Sequence, residues 1–352
     1  MTVVSGISID KKEDEYVLSF EIYNLQQTIS GEPIESKILE STGKTIFDAV
    51  RNAKKRVSKK LYFSDAKIII VSEKIAKEDG IDSIIDWFIR DPEIRETLEL
   101  VVSQEETAAT LLKTKGLTST IVSSDIQNII KKDQLVTSTT ENISLYEIYN
   151  ILNSEGLSLT LPAVHLIDNN DQKVCEVNGI AVFKNSKLVN YLTSEESKYY
   201  LLAKGELKGG IITINTKLRI SDTDSQNISF EIKDSSASQK YISQEVGNFE
   251  VKISTNTKVA IGEIKDKGKK LSDEDLTTLE EEASKIIKER IENVISIIQK
   301  DYDTDILGYG KTLHYKNPKL WKKINENFND YFKDIKTTVE SKLEIFNTGF
   351  LK

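Results

Sequence analysis

The amino-acid sequence predicts an α+β protein of three blocks, each with a mostly antiparallel or mixed sheet and packed helices. The apolar run 67–71 has the length of a buried strand, whereas the apolar spacing over 271–298 has the period of a helix. Such patterns alternate along all 352 residues, as in sheets covered by helices. At roughly 100–200 residues per domain the length allows two or three domains, and we place them at 1–105, 106–205 and 206–352.

The first block, 1–105, predicts a sheet with helices packed against it. Apolar residues recur at helical spacing after Gly43-Lys44-Thr45 and again over 81–88. Asp91-Pro92 is expected to end the second helix, because the residue before proline avoids helical backbone. The alternation over 98–102 predicts a strand with one buried face. Further β-forming runs predict strands at 3–10, 16–23 and 66–71.

The second block, 106–205, combines helices with a β-hairpin. Helical stretches are predicted at 107–113, 125–132 and 144–153, and β segments at 158–167 and 174–183. Asn185-Ser186 is typical of a tight turn and predicts a hairpin. A short helix is expected to begin at 193–196, where Ser194 has a side chain suited to capping.

The third block, 206–352, contains the clearest helix of the chain. Its apolar residues over 276–298 share one face. The acidic residues of its first turns interact favourably with the positive end of the helix dipole. A second helix is predicted at 318–331. Strands are predicted at 211–220, 227–233 and 247–260, with the polar residues 234–244 as a link between two of them, and an imperfect alternation indicates another strand at 337–345.

Composition excludes several classes of protein. Lys and Arg number 48 against 56 Asp and Glu, so the net charge is −8, and we expect no nucleic-acid partner. The single cysteine, Cys175, allows neither an intrachain disulfide nor a cysteine-based metal site. No apolar run reaches the ~18 residues of a membrane span. Residues 1–6 lack the basic and apolar parts of a signal peptide, so we expect the chain as given to be soluble.

Two short motifs resemble a phosphate-binding loop but lack its first glycine. Gly43-Lys44-Thr45 and Gly310-Lys311-Thr312 match the end of the loop, whereas the position five residues earlier holds Ile38 or Asp305. Nucleotide hydrolysis is therefore not expected, and Gly43 is interpreted as a turn before a helix.

The residues that could hold a metal ion do not form a recognisable ligand pattern. His165 and His314 have no further ligands at metal-site spacing, which favours structural roles. Asp301, Asp303 and Asp305 alternate as in a calcium loop, but the glycine and the final glutamate of that loop are missing. We interpret the three aspartates as a solvated helix exit and expect no metal and no cofactor.

A charged corner around a predicted helix end is the most distinctive local feature. Arg90 and Arg95 flank Asp91 and Glu93 on either side of Pro92. The cluster could be a docking corner or anion site, since arginine forms strong charge-assisted hydrogen bonds. It could also be a local ion-pair cap, which is the more common arrangement for clustered charges.

Several segments, in order over nearly the whole chain, resemble one family. In chain order they are a glycine-containing first strand, a helix start, an aromatic passage followed by an apolar strand, the charged corner, a hairpin, a glycine turn and a Pro–Trp helix start. In this sequence they are 4–10, 43–51, 60–63 with 66–71, 88–95, 179–184 with 188–189, 304–310 and 318–321. Together they resemble the Ger(x)C proteins, the C subunits of spore germinant receptors. Leu307 and Phe328 stand where that family usually has Phe and often has Trp, and both substitutions keep an apolar side chain.

The resemblance implies a non-enzymatic lipoprotein at the outer surface of the spore inner membrane. Members of the family carry an N-terminal lipid-modified cysteine, which this sequence lacks, and act with integral-membrane A and B subunits in nutrient-triggered germination. The family fold consists of three mixed α/β domains in an elongated arrangement, which agrees with the three blocks drawn from periodicity.

Candidate site residues follow from the matched motifs. We expect partner contacts at Arg90, Asp91 and Arg95 and at Asp305, Gly308 and Gly310, with Trp321 as a packing anchor of the last helix. Two other functions remain open. An acidic cell-wall hydrolase would need two facing carboxylates in a cleft. An extracytoplasmic solute-binding protein would need a deep pocket with convergent polar groups.

Overall fold

The computed structural model of the chain describes residues 1–24, 35–216, 226–264 and 271–347. These residues form two compact units. The first unit comprises Met1–Lys132 with Thr140–Thr193, and the second comprises Asp133–Thr139 with Ser194–Lys352.

The first unit is built on a mixed sheet of nine strands. The chain begins with antiparallel strands, continues with parallel strands at the centre and ends with two antiparallel hairpin partners. The strands are β1 (Thr2–Lys12), β2 (Glu15–Tyr23), β3 (Ser36–Gly43), β4 (Leu61–Tyr62), β5 (Ile68–Ser72), β6 (Glu99–Ser103), β7 (Thr160–Asn169), β8 (Gln172–Lys184) and β9 (Lys187–Leu192). Their order is β3-β2-β1-β5-β6-β7-β8-β9, and β4 pairs with the start of β1.

Six helices cover the two faces of this sheet. They are α1 (Ile46–Ala53), α2 (Glu73–Glu78), α3 (Asp82–Arg90), α4 (Ala108–Leu112), α5 (Val122–Val136) and α6 (Leu145–Leu152). Buried side chains of α1, α2, α3 and α6 join one apolar cluster, and those of α4 and α5 join a second. Consequently the predicted one-sided strand at 98–102 is wrong. In β6, Leu100 and Val102 belong to the first cluster and Val101 to the second, so the strand is buried on both faces.

Two buried carboxylates tie the beginning of the chain to helices about a hundred residues later. The amides of Ala108 and Ala109 donate to Asp10 at 2.6 and 3.0 Å, at the start of α4. The amides of Val122 and Ser123 donate to Glu21 at 2.7 and 3.0 Å, at the start of α5. Carboxylates are favourable at helix N-termini because they satisfy free amides and the helix dipole. Burial nevertheless raises the pKa of Asp10.

The caps and the continuous sheet place most of the second predicted block, up to Thr193, in one unit with the first, whereas Asp133–Thr139 belong to the second unit. This grouping differs from the boundary expected at 105, because a parallel sheet continues past β6 into β7. The division into three domains stays a prediction.

The second unit is built on a four-stranded sheet in the order β10-β11-β12-β13. Its long helix packs along the last strand, which runs parallel to β12. The elements are α7 (Ser194–Lys204), β10 (Ile211–Thr216), β11 (Gln226–Glu245), β12 (Asn248–Glu263), α8 (Asp273–Ile297), a π-helical turn (Ile298–Tyr302), α9 (Tyr309–Lys316), α10 (Pro318–Ile324), a 3₁₀ turn (Asn325–Asn327), α11 (Phe328–Phe332) and β13 (Lys336–Asn347).

Local patterns predicted several elements correctly. The strand at 337–345 and the hairpin turn at Asn185, with φ of 57°, are confirmed. The helix at 271–298 is confirmed as α8, which begins with a capping box between Ser272 and Asp275.

Two predicted features of the second unit are wrong. The polar residues 234–244 continue β11, because they pair with β12 from Lys258 back to Phe249. Two of their side chains also bond to backbone of the same unit: the Ser235 hydroxyl donates to Leu207 O at 2.6 Å and the Tyr241 hydroxyl to Tyr309 O at 3.1 Å. The predicted helix 318–331 is interrupted by the 3₁₀ turn. The predicted strand 211–220 is described only to Thr216, and its remainder lies outside the described residues.

Candidate functional site

The charged corner 90–95 lies at the end of α3 in the first unit. Ile84, Ile85 and Phe88 bury one face of this helix in the core. Asp91 has extended backbone (φ −81°, ψ 115°), as expected for a residue before proline. Its Oδ1 accepts a hydrogen bond from the Glu93 amide at 2.9 Å. Asp91 therefore shapes the turn that places Arg90 and Arg95 on either side of it.

The two arginines of the corner differ in their pairing. Arg90 Nε donates to Asp86 Oδ1 at 2.8 Å, and both side chains are exposed, at 77% and 56%. The hydrogen bond to Asp86 raises the pKa of Arg90, and the charge of Tyr149 adds to the effect. Arg95 is exposed, and no ion pair among the described residues includes it. The Arg95 guanidinium is thus an exposed cation of the corner, whose charge is close enough to Asp65 to lower the pKa of that carboxyl.

Two exposed tyrosines on α6 lie beside the corner. Leu145 and Ile148 are buried, which leaves Tyr146 and Tyr149 exposed at 52% and 39%. The amide of Tyr146 donates to Glu96 O at 3.1 Å, so α6 is fixed next to the corner. We call Arg90, Arg95, Tyr146 and Tyr149 the corner surface. Sequence reasoning missed the tyrosines, although the helical period of 144–153 already placed them opposite the apolar face.

The Asp305–Gly310 turn in the second unit is not a solvated helix exit. Asp305 is only 2% exposed. The amides of Gly308 and Gly310 donate to Asp305 Oδ1 and Oδ2 at 2.8 and 2.7 Å. Gly308 has φ of 77°, a left-handed conformation that glycine adopts without strain. For Asp305 the prediction of a solvated exit is therefore wrong, because its carboxylate is enclosed by the turn that it holds, whereas Asp301 is exposed.

Burial dominates the protonation of Asp305. It raises the pKa of this carboxyl to about 6 from 3.8, although the surrounding backbone amides act in the opposite direction. The turn is also held from outside, because the Tyr200 hydroxyl donates to Ile306 O at 3.1 Å. Asp305, Gly308 and Gly310 thus set the start of α9. A partner contact at this turn stays a prediction.

Trp321 lies in a row of aromatic rings within the second unit. It is buried and stacks on His314, with ring centroids 5.6 Å apart and planes at 20°. On its other side Phe328 lies at 5.1 Å, and the row continues through Phe332 to Tyr309. Through this stacking His314, on α9, contacts Trp321, on α10.

Two clefts among the described residues of the second unit offer little for the two other functions. One cleft of about 320 Å³ is lined by Lys198, Glu195 and Arg290, among others. Arg290 pairs with Glu195 at 2.9 Å, and Lys198 Nζ donates to Ile211 O at 2.7 Å, so both cations already have partners. A more open cleft of about 580 Å³ contains one carboxylate, Glu340. Neither cleft has the facing carboxylate pair of a glycosidase.

The described residues contain neither a metal-binding cluster nor a membrane-spanning helix. Within those ranges no group of three or more His, Cys, Asp or Glu side chains is placed to hold a metal ion. The helices found there are all too short or too polar to cross a bilayer.

The fold and its exposed corner define a mixed α/β protein whose candidate site is a surface and not a cleft. Comparison with known families identifies the class further. A family described as "Spore germination protein N-terminal domain" matches residues 1–166, and "Spore germination B3/GerAC like, C-terminal" matches residues 178–349. The chain belongs to the Ger(x)C family of spore germinant receptor C subunits.

Individual relatives agree with this assignment. Spore germination protein KC of Bacillus subtilis (strain 168) is 23% identical over 99% of this chain and 90% of its own length. Spore germination protein B3 of the same organism is 24% identical over 99% and 91%. The crystal structure of the GerBC protein has a TM-score of 0.62 at 22% identity and covers 97% of both chains. The resemblance inferred from the ordered motifs and the mixed α/β fold class are therefore confirmed.

Proposed function

We propose that the chain is a non-enzymatic subunit of a nutrient germinant receptor that acts with integral-membrane A and B subunits. It works at the outer surface of the spore inner membrane, where an N-terminal lipid anchor holds it. The observation that carries this proposal is the family match, which extends over 1–166 and 178–349 and thus over both units.

The corner surface is the proposed contact with a membrane subunit. Arginine and tyrosine are the residues that most often dominate the energy of protein interfaces. Arg95 and Tyr149 are exposed on neighbouring elements, and Asp91 fixes the turn between the two arginines. Asp305, Gly308 and Gly310 contribute indirectly in this proposal, since they position the exposed side of α9.

Affinity purification of the lipid-anchored protein from spore inner membranes, followed by mass spectrometry, tests the proposal. We expect recovery of two integral-membrane subunits. Arg95→Ala combined with Tyr149→Ala should reduce that recovery at least tenfold, which corresponds to the loss of about 1.4 kcal/mol of binding energy. The matched control is Lys285→Ala with Phe346→Ala, because it also removes one exposed cation and one exposed aromatic side chain, both outside the corner surface and α9.

Three outcomes decide between the proposed functions. Loss of partners with the corner variant alone supports the contact site. Equal recovery with both variants would exclude the corner surface, while the receptor function would stand. Recovery of the protein without membrane subunits would refute the receptor function and favour the solute-binding alternative.

A further inference from the structure

A dense group of cations interrupts the acidic sequence just after α1. Its members are all exposed, and we call them the basic cluster 51–60: Arg51, Lys54, Lys55, Arg56, Lys59 and Lys60. No Asp or Glu occurs in the sequence between Asp48 and Asp65, although the chain as a whole has a net charge of −8. The cluster is therefore a local region of positive potential on an acidic protein.

The fold holds this cluster in a defined place. Arg56 donates to the carbonyl of Glu40, and Lys60 pairs with Glu93, so both ends of the segment 56–60 are attached to the first unit. In contrast, Lys54, Lys55 and Lys59 belong to no ion pair among the described parts of the chain. Three exposed ammonium groups within six residues of chain are thus available to an external anion.

The cluster lies beside the first residues of the chain. The amide of Thr2 donates to Lys60 O at 2.9 Å, and Val3 pairs with Tyr62 in the parallel contact between β1 and β4. Any group attached ahead of residue 1 would therefore emerge next to the cluster.

An exposed aromatic side chain completes this surface. Phe47 is 51% exposed, and the guanidinium carbon of Arg51 lies 4.8 Å from its ring centre. Aromatic residues next to cations are typical of surfaces that enter the headgroup region of a bilayer.

The chemistry of the cluster favours a lipid surface over other anionic partners. Four of the six cations are lysines, which are depleted at protein interfaces. Anionic headgroups, however, interact with each lysine separately, without a defined bidentate geometry.

We propose that the basic cluster 51–60, with Phe47, is a docking surface for an anionic phospholipid bilayer. The inference deepens the proposed function and rests on it for the orientation of the first unit at the membrane. A basic surface commonly adds to the membrane attachment that a lipid anchor provides. The cluster would thus hold the first unit against the bilayer close to its point of attachment.

Vesicle flotation with the unlipidated 352-residue chain tests the docking surface directly. Vesicles of phosphatidylcholine with phosphatidylglycerol should bind the chain, and pure phosphatidylcholine vesicles should not. The variant Lys54→Gln, Lys55→Gln and Lys59→Gln should lower the partition coefficient at least tenfold, since each lysine contributes separately. Raising the salt from about 0.1 to 0.5 M should have a comparable effect through screening.

The control variant is Lys319→Gln, Lys322→Gln and Lys323→Gln. It removes the same charge from exposed lysines of α10, and none of them belongs to an ion pair among the residues with described positions. Its partition coefficient should stay within twofold of the original chain, and circular dichroism should show both variants folded.

Several results would overturn the proposal. These are absence of binding by the original chain to anionic vesicles, equal losses in both variants, or binding that persists at high salt. Recovery of the membrane subunits from detergent extracts is measured separately, so failure of the docking surface and failure of the receptor function can be told apart.

Discussion

Replacing Asp305 by asparagine tests whether a buried charge or its hydrogen bonds dominate the glycine turn. The two carboxylate oxygens accept hydrogen bonds from the amides of Gly308 and Gly310. Asparagine keeps one oxygen as an acceptor, but its NH₂ group replaces the second oxygen and faces a backbone amide, which is also a donor. Leaving a buried amide without its acceptor costs about 1–3 kcal/mol. The substitution also removes a carboxylate that burial disfavours in its charged form.

The two effects separate with pH. Because the pKa of Asp305 rises from 3.8 to about 6 on folding, the ionised group lowers the free energy of unfolding by about 3 kcal/mol at pH 7. The folded state binds the extra proton between these two values, so this penalty decreases as the pH falls. At pH 4.5 it should be about 1 kcal/mol. The original chain should therefore gain about 2 kcal/mol relative to Asp305→Asn between pH 7 and pH 4.5.

Urea unfolding followed by tryptophan fluorescence measures this difference. Trp87 lies in the first unit and Trp321 in the second, so a Trp87→Phe background makes fluorescence report the unit that contains Asp305. Asp301→Asn, on the exposed side of the same segment, corrects for the loss of one negative charge. A pH-independent difference would refute the reasoning. A relative gain of the original chain with rising pH would show that the amides lower the pKa more than burial raises it.

Three further substitutions have expected effects on stability. Glu21→Ala should lower the free energy of unfolding of the first unit by about 3 kcal/mol, because two buried amides lose their acceptor. Hydrogen exchange should also rise in α5, and a loss of stability below about 1 kcal/mol would contradict the capping role. Gly179→Ala, whose Cβ would meet Leu192 O at 2.1 Å, should cost at least about 2 kcal/mol more in urea unfolding than Gly247→Ala, which meets nothing within 4 Å. Equal costs would exclude the steric explanation. Trp321→Ala should cost about 3–5 kcal/mol in thermal unfolding, and a cost below about 1 kcal/mol would show that the aromatic row does not stabilise the unit.

The sequence predicted those elements whose signal is local. The helix α8 has an apolar face and a capping box within 26 residues, and the β8–β9 turn needs only Asn185 and its neighbours. By contrast, the polar side chains of residues 234–244 are typical of a loop. The backbone groups that they bond lie far away in sequence, so the local pattern could not predict a strand. The strand β3 was not predicted.

The candidate site shows the same division. Charges and the proline at 90–95 identified the corner, but its tyrosines come from another helix, and only the packing of α6 on α3 places them there. The three aspartates before Gly308 gave no sign that one of them is enclosed. Asp305 is buried in a turn whose backbone accepts hydrogen bonds from Tyr200 and Tyr241, and no spacing within 301–310 reveals these distant partners.

The helix caps of Asp10 and Glu21 also impose an order on biosynthesis. Strand β1 lies between β2 and β5, and its neighbourhood becomes complete only when residues 108–123 have left the ribosome. At bacterial elongation rates, which are on the order of 10 residues per second, the two carboxylates wait roughly 10 seconds for the amides that they bind. During that interval the nascent chain has strands with one uncovered face. Substitutions at these caps should therefore reduce the yield of folded protein in cells by more than their effect on the finished molecule, since the incomplete sheet is exposed to aggregation and proteolysis.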